Sequence, residues 1–154
     1  MPGGLDKSAQ FYGKGIEALF PEGSAPKTTV PFPRAGMHKK RAPYEEHLVH
    51  AAVSKSPPDL QDVDPRTLHA TQPWVTRSGV EHYMQGDYER TGQTYADAHQ
   101  AGNRFPVIYN RHNEATGTTE SLILSGHHRA TKALLRGEQL RSIVVSGGYG
   151  PWKD

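Results

Sequence analysis

Between Asp6 and Phe20, apolar residues at Phe11, Tyr12, Ile16, Leu19 and Phe20 recur every three or four positions behind an N-cap candidate at Asp6, a spacing that predicts a helix. Gly13 and Gly15 weaken it by about 1 kcal/mol each, so it needs a surface to pack on. Tyr44, Leu48, Ala51 and Ala52 make one face of a second helix, opened by Pro43 and ended by Pro57 and Pro58. The stretch from Asp62 to Val75 has turn residues at Asp64 and Pro65 and reads as strand or loop. A short helix follows, with Val80, Tyr83 and Met84 on one face, Ser78 as its expected cap and Gly86 as its stop. Thr94 to Gly102 reads as another.

The period then shortens. Arg104 to Asn110 is rich in residues that favour sheets, and after a polar turn ending at Gly117 the chain returns as Leu122, Ile123 and Leu124, which predicts an antiparallel hairpin. His127 to Arg136 reads as a helix with Ala130, Ala133 and Leu134 inward and Gly137 as its stop. Leu140 to Gly148 is a final strand. The order α–α–β–β–α–β predicts a small α+β domain of about 95 residues.

Composition places that domain in the later part of the chain. Nine of the twelve prolines lie in residues 1–65, four of them between Pro21 and Pro33, and proline both fixes φ and removes a donor. Residues 1–58 are therefore expected to be an N-terminal helix, a proline-rich extended arm and a second helix, residues 59–146 the compact domain, and residues 147–154 a glycine-rich tail. The hydrophobic share of 34%, against roughly 45–50% in globular proteins, agrees with part of the chain being extended. Arms of this kind become ordered on a partner, so a protein partner or a second copy of the chain is expected at residues 1–58.

There is no cysteine in the 154 residues, which excludes disulfides, thiolate metal sites and thiol nucleophiles. No apolar run reaches the roughly 20 residues of a membrane span, and the first residues lack the pattern of a signal peptide, so a cytoplasmic setting without membrane contact is expected. Net charge is +2, with the excess in the first part: eight Lys/Arg against five Asp/Glu in residues 1–58, ten against eleven in residues 59–154. The cluster Lys39, Lys40 and Arg41 reads first as a solvated loop, and otherwise as a contact for phosphates or an acidic surface.

The chemistry concentrates at Leu122 to Gly137, where an apolar strand runs through Ser125 and Gly126 into His127, His128 and Arg129. Gly126 permits the φ of a sharp turn. The N–H groups of residues 127 to 130 then face outward at the positive end of a helix dipole, a natural anion site. Arg129 offers a forked donor, and Lys132 follows one turn later. Helix first turns favour acids, and this one is His-His-Arg, a broken local rule of the kind that marks functional sites. Two adjacent histidines point about 100° apart on a helix and share a metal ion poorly, and the His47/His50 pair also lacks a third ligand. Trp74 reads as core or edge packing rather than a platform for a base.

The segments from Leu68 to Val75, from Phe105 to Asn110, from Leu122 to Gly137 and from Leu140 to Val145 resemble the ParB/sulfiredoxin superfamily, over roughly residues 60–146. Gly126-His127-His128-Arg129, with Ala130 and Gly137, is similar to the family's strand-to-helix box that binds nucleotide phosphates. The resemblance implies ATP or CTP with Mg²⁺, cradled by Gly126, His127, His128 and Arg129, with Gln72 as a secondary candidate lining the pocket; Ser125 and Lys132 are further candidates beside the box. Sulfiredoxins have a catalytic cysteine where this chain has His127, so sulfinic acid reduction is not expected. The DNA-binding domain of partition-type ParB proteins is not expected either. Three functions remain: an enzyme acting as phosphotransferase or Mg²⁺-dependent nuclease, with His128 as acid/base and Glu120 and Asp97 as acidic candidates; a nucleotide or nucleic-acid phosphate binding module; or an assembly protein, of phage or mobile-element type and then virion-associated, that docks through its arm.

Overall fold

The computed structural model describes residues 15–20, 29–31, 44–71, 74–85, 105–113 and 117–149. In chain order its elements are β1 (Thr29–Pro31), α1 (Glu46–Ser54), β2 (Gln61–Val63), β3 (Leu68–His69), β4 (Trp74–Thr76), α2 (Arg77–Met84), β5 (Val107–Asn113), β6 (Thr118–Ser125), α3 (His127–Arg136) and β7 (Leu140–Tyr149), with 3₁₀ turns at Ile16–Ala18 and Pro65–Thr67. The expected hairpin forms: β5 and β6 run antiparallel from Val107 opposite Ser125 to Asn113 opposite Thr118, with a register shift between Val107 and Ile108. From the end of β6, α3 carries the chain across to β7, which pairs parallel with β5. β2 adds antiparallel to β7 and β3 parallel to β6, giving the order β2-β7-β5-β6-β3. β1 and β4 make a separate antiparallel pair. Among the described residues, three helices and a mixed five-stranded sheet make the fold α+β.

Strand alternation sends successive side chains to opposite faces, and each face has its own cover. Ile108, Ile123 and Leu140 pack with Val80, Ala130, Ala133, Leu134 and Leu135 beneath α2 and α3. Val107, Tyr109, Leu124, Ile143 and Val145 pack against Leu48, Val49, Ala52 and Val53 of α1. Each fully buried aliphatic side chain contributes about 1.5–3 kcal/mol. On the α1 face the Tyr109 hydroxyl donates to Glu45 Oε1 at 3.3 Å and accepts the Glu45 N–H at 3.4 Å. Gly147, two residues along β7 from Val145, the partner of Tyr109, leaves room for that hydroxyl, with which a Cβ would collide.

Several boundaries differ from those the sequence predicts. Of the helix expected from Asp6 to Phe20, the described residues 15–20 form a single 3₁₀ turn, and it carries Phe20 into the core at 0% exposure. Glu45, not Pro43, precedes the first turn of α1, which ends at Ser54, ahead of the two prolines. Thr76 rather than Ser78 caps α2, its hydroxyl accepting the Gly79 N–H at 3.2 Å, because β4 extends as far as Thr76. β7 runs to Tyr149, so Gly147 to Tyr149 belong to the sheet and not to a tail. Phe20, β1 and α1 all come from residues 1–58, and each is joined to the rest by burial, strand pairing or packing. Pro43, Gly86, Lys39 to Arg41 and the helix expected at Thr94 to Gly102 lie outside the described residues.

Candidate functional site

β6 ends at Ser125, and Gly126 turns the chain into α3 with φ 100° and ψ 26°, a left-handed conformation that glycine adopts without penalty. Space imposes the same choice, since a Cβ on Gly126 would lie 2.7 Å from Pro106 Cβ. The Ala130 N–H bonds to the Gly126 carbonyl at 2.9 Å. Residue 130 is therefore already inside the helix, and the N–H groups that precede the intrahelical ladder are those of residues 127 to 129. The first turn has no acidic residue and Gly126 supplies no side-chain cap.

The two histidines divide as adjacent helix positions require. His127 is buried, and its Nε2 accepts the Thr71 N–H at 3.0 Å. His128 Nε2 accepts the Thr76 N–H at 3.0 Å, with the Thr76 hydroxyl 3.3 Å away. An imidazole nitrogen that accepts from an amide carries no proton, so both rings hold theirs on Nδ1. Burial also pushes the His128 pKa below the usual histidine value. The pair thus fastens both ends of the segment from Thr71 to Thr76 onto the start of α3. His128 has close contact with α2 as well, since a Cβ on Gly79 would collide with its Cδ2 and Nε2.

Around this junction lies a cleft of about 460 Å³ lined by Thr76, Ser78, Gly79, His82, Tyr83 and His128. Thr76 to Gly79 form the start of α2, and His128 belongs to the first turn of α3. Two helix N-termini therefore meet at one cavity, neither has an acid in its first turn, and the described lining residues include no carboxylate. Each helix end carries a partial positive charge of roughly half a unit.

The remaining candidates separate. Arg129 is 3% exposed and does not line the cleft; its Cζ sits 4.8 Å from the centroid of the Tyr83 ring, placing its charge behind that wall. Lys132 turns toward the other end of α3, where its Nζ meets Glu138 Oε1 at 2.9 Å. Glu120 is removed from the junction: it sits opposite Arg111 across the hairpin, about 17 Å of strand from Ser125, and on the alternation that includes Tyr109, the face covered by α1. Arg111 Nε and Nη2 reach Glu120 Oε1 at 3.1 and 2.9 Å, which accounts for this acid as an ion pair. Ser125 is half-buried at the end of β6, paired opposite Val107. Gln72 and Asp97 lie outside the described residues.

Thr76, Gly79, His82 and Tyr83 line the cleft although the sequence pattern does not single them out as site residues. Thr76 carries a usable signal, a hydroxyl residue of a type favoured at helix N-caps standing at a strand-to-helix change. Tyr83 carries none, because its role depends on a contact with another helix. Trp74, expected in packing, is 52% exposed.

Mg²⁺ is usually bound through one or two protein carboxylates together with substrate phosphates. The described cleft residues supply no carboxylate, and among the described residues there is no group of three or more His, Cys, Asp or Glu able to hold a metal ion. The described lining residues therefore offer no carboxylate that could hold Mg²⁺. No helix among the described residues is long and apolar enough to cross a membrane. Compared with known proteins, the chain matches no family model, no curated protein and no solved structure.

Proposed function

We propose that this protein binds the phosphates of a nucleoside triphosphate in the cleft between α2 and α3, as a binding module. The observation that carries the reading is the convergence of two acid-free helix N-termini on one cavity. Such ends bind anions through N–H groups and dipole together, and a polyphosphate can engage both at once. Ser78 adds an exposed hydroxyl in the first turn of α2, and His128 and Tyr83 line the cleft, with the Arg129 guanidinium against the Tyr83 ring. The resemblance of the Gly126 to Arg129 box to the ParB/sulfiredoxin superfamily supports the same ligand class and a ParB-like form of this α+β fold. Binding is favoured over phosphotransfer or nuclease chemistry because Glu120 belongs to an ion pair elsewhere and His128 Nε2 already accepts an amide proton.

The test is isothermal titration of the full chain with ATP, CTP and inorganic tripolyphosphate. Saturable binding is expected, weakened by Arg129→Ala. Because Arg129 is buried, Ser78→Asp is the cleaner variant: an acid in a helix first turn favours the helix, while its charge beside the phosphates should weaken binding by about tenfold or more. The reading fails if none of the three ligands binds, or if Ser78→Asp stays folded and binds as well as the wild type.

A further inference from the structure

We infer that Trp74 is the platform on which the base of a bound nucleotide stacks, so that the cleft selects nucleotides over bare polyphosphates. The inference rests on the phosphate reading and goes beyond it. Trp74 is the large hydrophobic residue that stands exposed among the described residues, at 52%. Its position connects it to the cleft. In β4, Val75 is fully buried, so Trp74 and Thr76, two positions apart, share the opposite side of the strand. Thr76 lines the cleft and its hydroxyl approaches His128. Trp74 therefore stands about 7 Å along the strand from a cleft-lining residue, a separation that a sugar spans between a base and its first phosphate.

The strand that carries it is well anchored. β4 pairs with β1 on its edge, Pro31 opposite Trp74, and at its other end the Thr76 N–H is held by His128. A backbone held at both ends limits the entropic cost of placing the 52% exposed indole beside the cleft. Stacking on an aromatic ring tolerates any base, since every base has a π-face, so ATP and CTP should both bind and differ little.

The experiment compares tripolyphosphate, ATP and CTP on the full chain, on Trp74→Ala and on Trp74→Phe, by isothermal titration and by tryptophan fluorescence in a Trp152→Phe background, which leaves one of the two tryptophans. The wild type should bind nucleotides about 5- to 150-fold more tightly than tripolyphosphate, and nucleotides alone should quench Trp74. Trp74→Ala should lower nucleotide affinity to that of tripolyphosphate without changing tripolyphosphate affinity, and Trp74→Phe should keep most of the preference. Tripolyphosphate and nucleotides bound equally by the wild type would overturn the stacking platform while leaving the phosphate site intact. So would a folded Trp74→Ala protein with unchanged nucleotide affinity. Binding of none of the three would overturn the phosphate site and the platform with it.

Discussion

The two ends of α3 are both built on a left-handed glycine, and they differ in everything else. At the C-terminal end Gly137 has φ 69°, its N–H bonds back to Leu134, and the Glu138 N–H bonds back to Ala133, the paired bonds of a Schellman motif. Lys132 reaches Glu138 across that end. Every local rule for stopping a helix is followed. At the N-terminal end the glycine takes the cap position without a side chain to cap with, the first turn lacks an acid, and two imidazoles hold Thr71, after β3, and Thr76, at the end of β4. The same helix thus closes one end for stability and keeps the other as a junction where a second helix start and a cleft meet. Where local chemistry departs from what the helix alone would favour, the surroundings must supply the reason.

The sharpest test of this difference exchanges each glycine for alanine. Both changes place a Cβ on a left-handed residue, a cost of about 1–2 kcal/mol. Gly126→Ala adds a collision, with Pro106 Cβ at 2.7 Å and Pro106 Cα at 2.9 Å, and overpacking of this kind costs a further 1–3 kcal/mol or so. Gly126→Ala should therefore lose roughly 2–5 kcal/mol in urea unfolding, against about 1–2 kcal/mol for Gly137→Ala. Equal losses would mean that the tight junction is not a real difference between the ends.

A smaller effect concerns the contact between the helix starts. Gly79→Ala brings a Cβ into collision with the His128 ring edge and should cost about 1–3 kcal/mol. In a His128→Ala background the obstacle is gone, and the same change should stabilise α2 by about 0.5–1 kcal/mol, the ordinary gain of alanine over glycine in a helix. The reversal of sign in a double-mutant cycle is what distinguishes a specific contact from general strain. Gly79→Ala costing the same in both backgrounds would remove His128 from the account.

Much of this was legible in the chain, for identifiable reasons. The hairpin, the turn at Gly126 and the stop at Gly137 depend on neighbours in sequence: alternation, turn residues and a glycine at an element boundary fix them before any tertiary contact forms. The directions of Arg129 and Lys132 do not depend on such neighbours. One finds Tyr83 on another helix and the other finds Glu138 beyond the glycine stop, and a basic residue in a helix looks the same in sequence whichever way it turns. Glu120 was misplaced for a related reason. Its nearness to the junction in sequence becomes about 17 Å along an extended strand, on the face that α1 covers. The cap at Ser78 failed by two residues, because strand pairing with β1 carries β4 as far as Thr76.

The last effect is the smallest, because it acts through one half-buried ring. His128 accepts an amide proton and is pushed by burial below the ordinary histidine pKa, while in the unfolded chain it titrates near 6.5. Below that pH the unfolded state binds more protons than the folded one, so stability should rise with pH in that window. The contribution is complete above about pH 6.5 and is lost as pH falls through the folded pKa of His128. The chain has nine histidines, so the slope of the wild type alone assigns nothing. His128→Gln sets an amide oxygen near the position from which Nε2 accepts and does not titrate. Urea unfolding of both proteins between about pH 5 and 8 should show the wild type losing more stability than the variant on the acid side, and the two curves running parallel above it. Parallel curves throughout would show that the N-terminal end of α3 does not depend on a neutral His128, and the cleft would then need another account of what holds Thr76 in place.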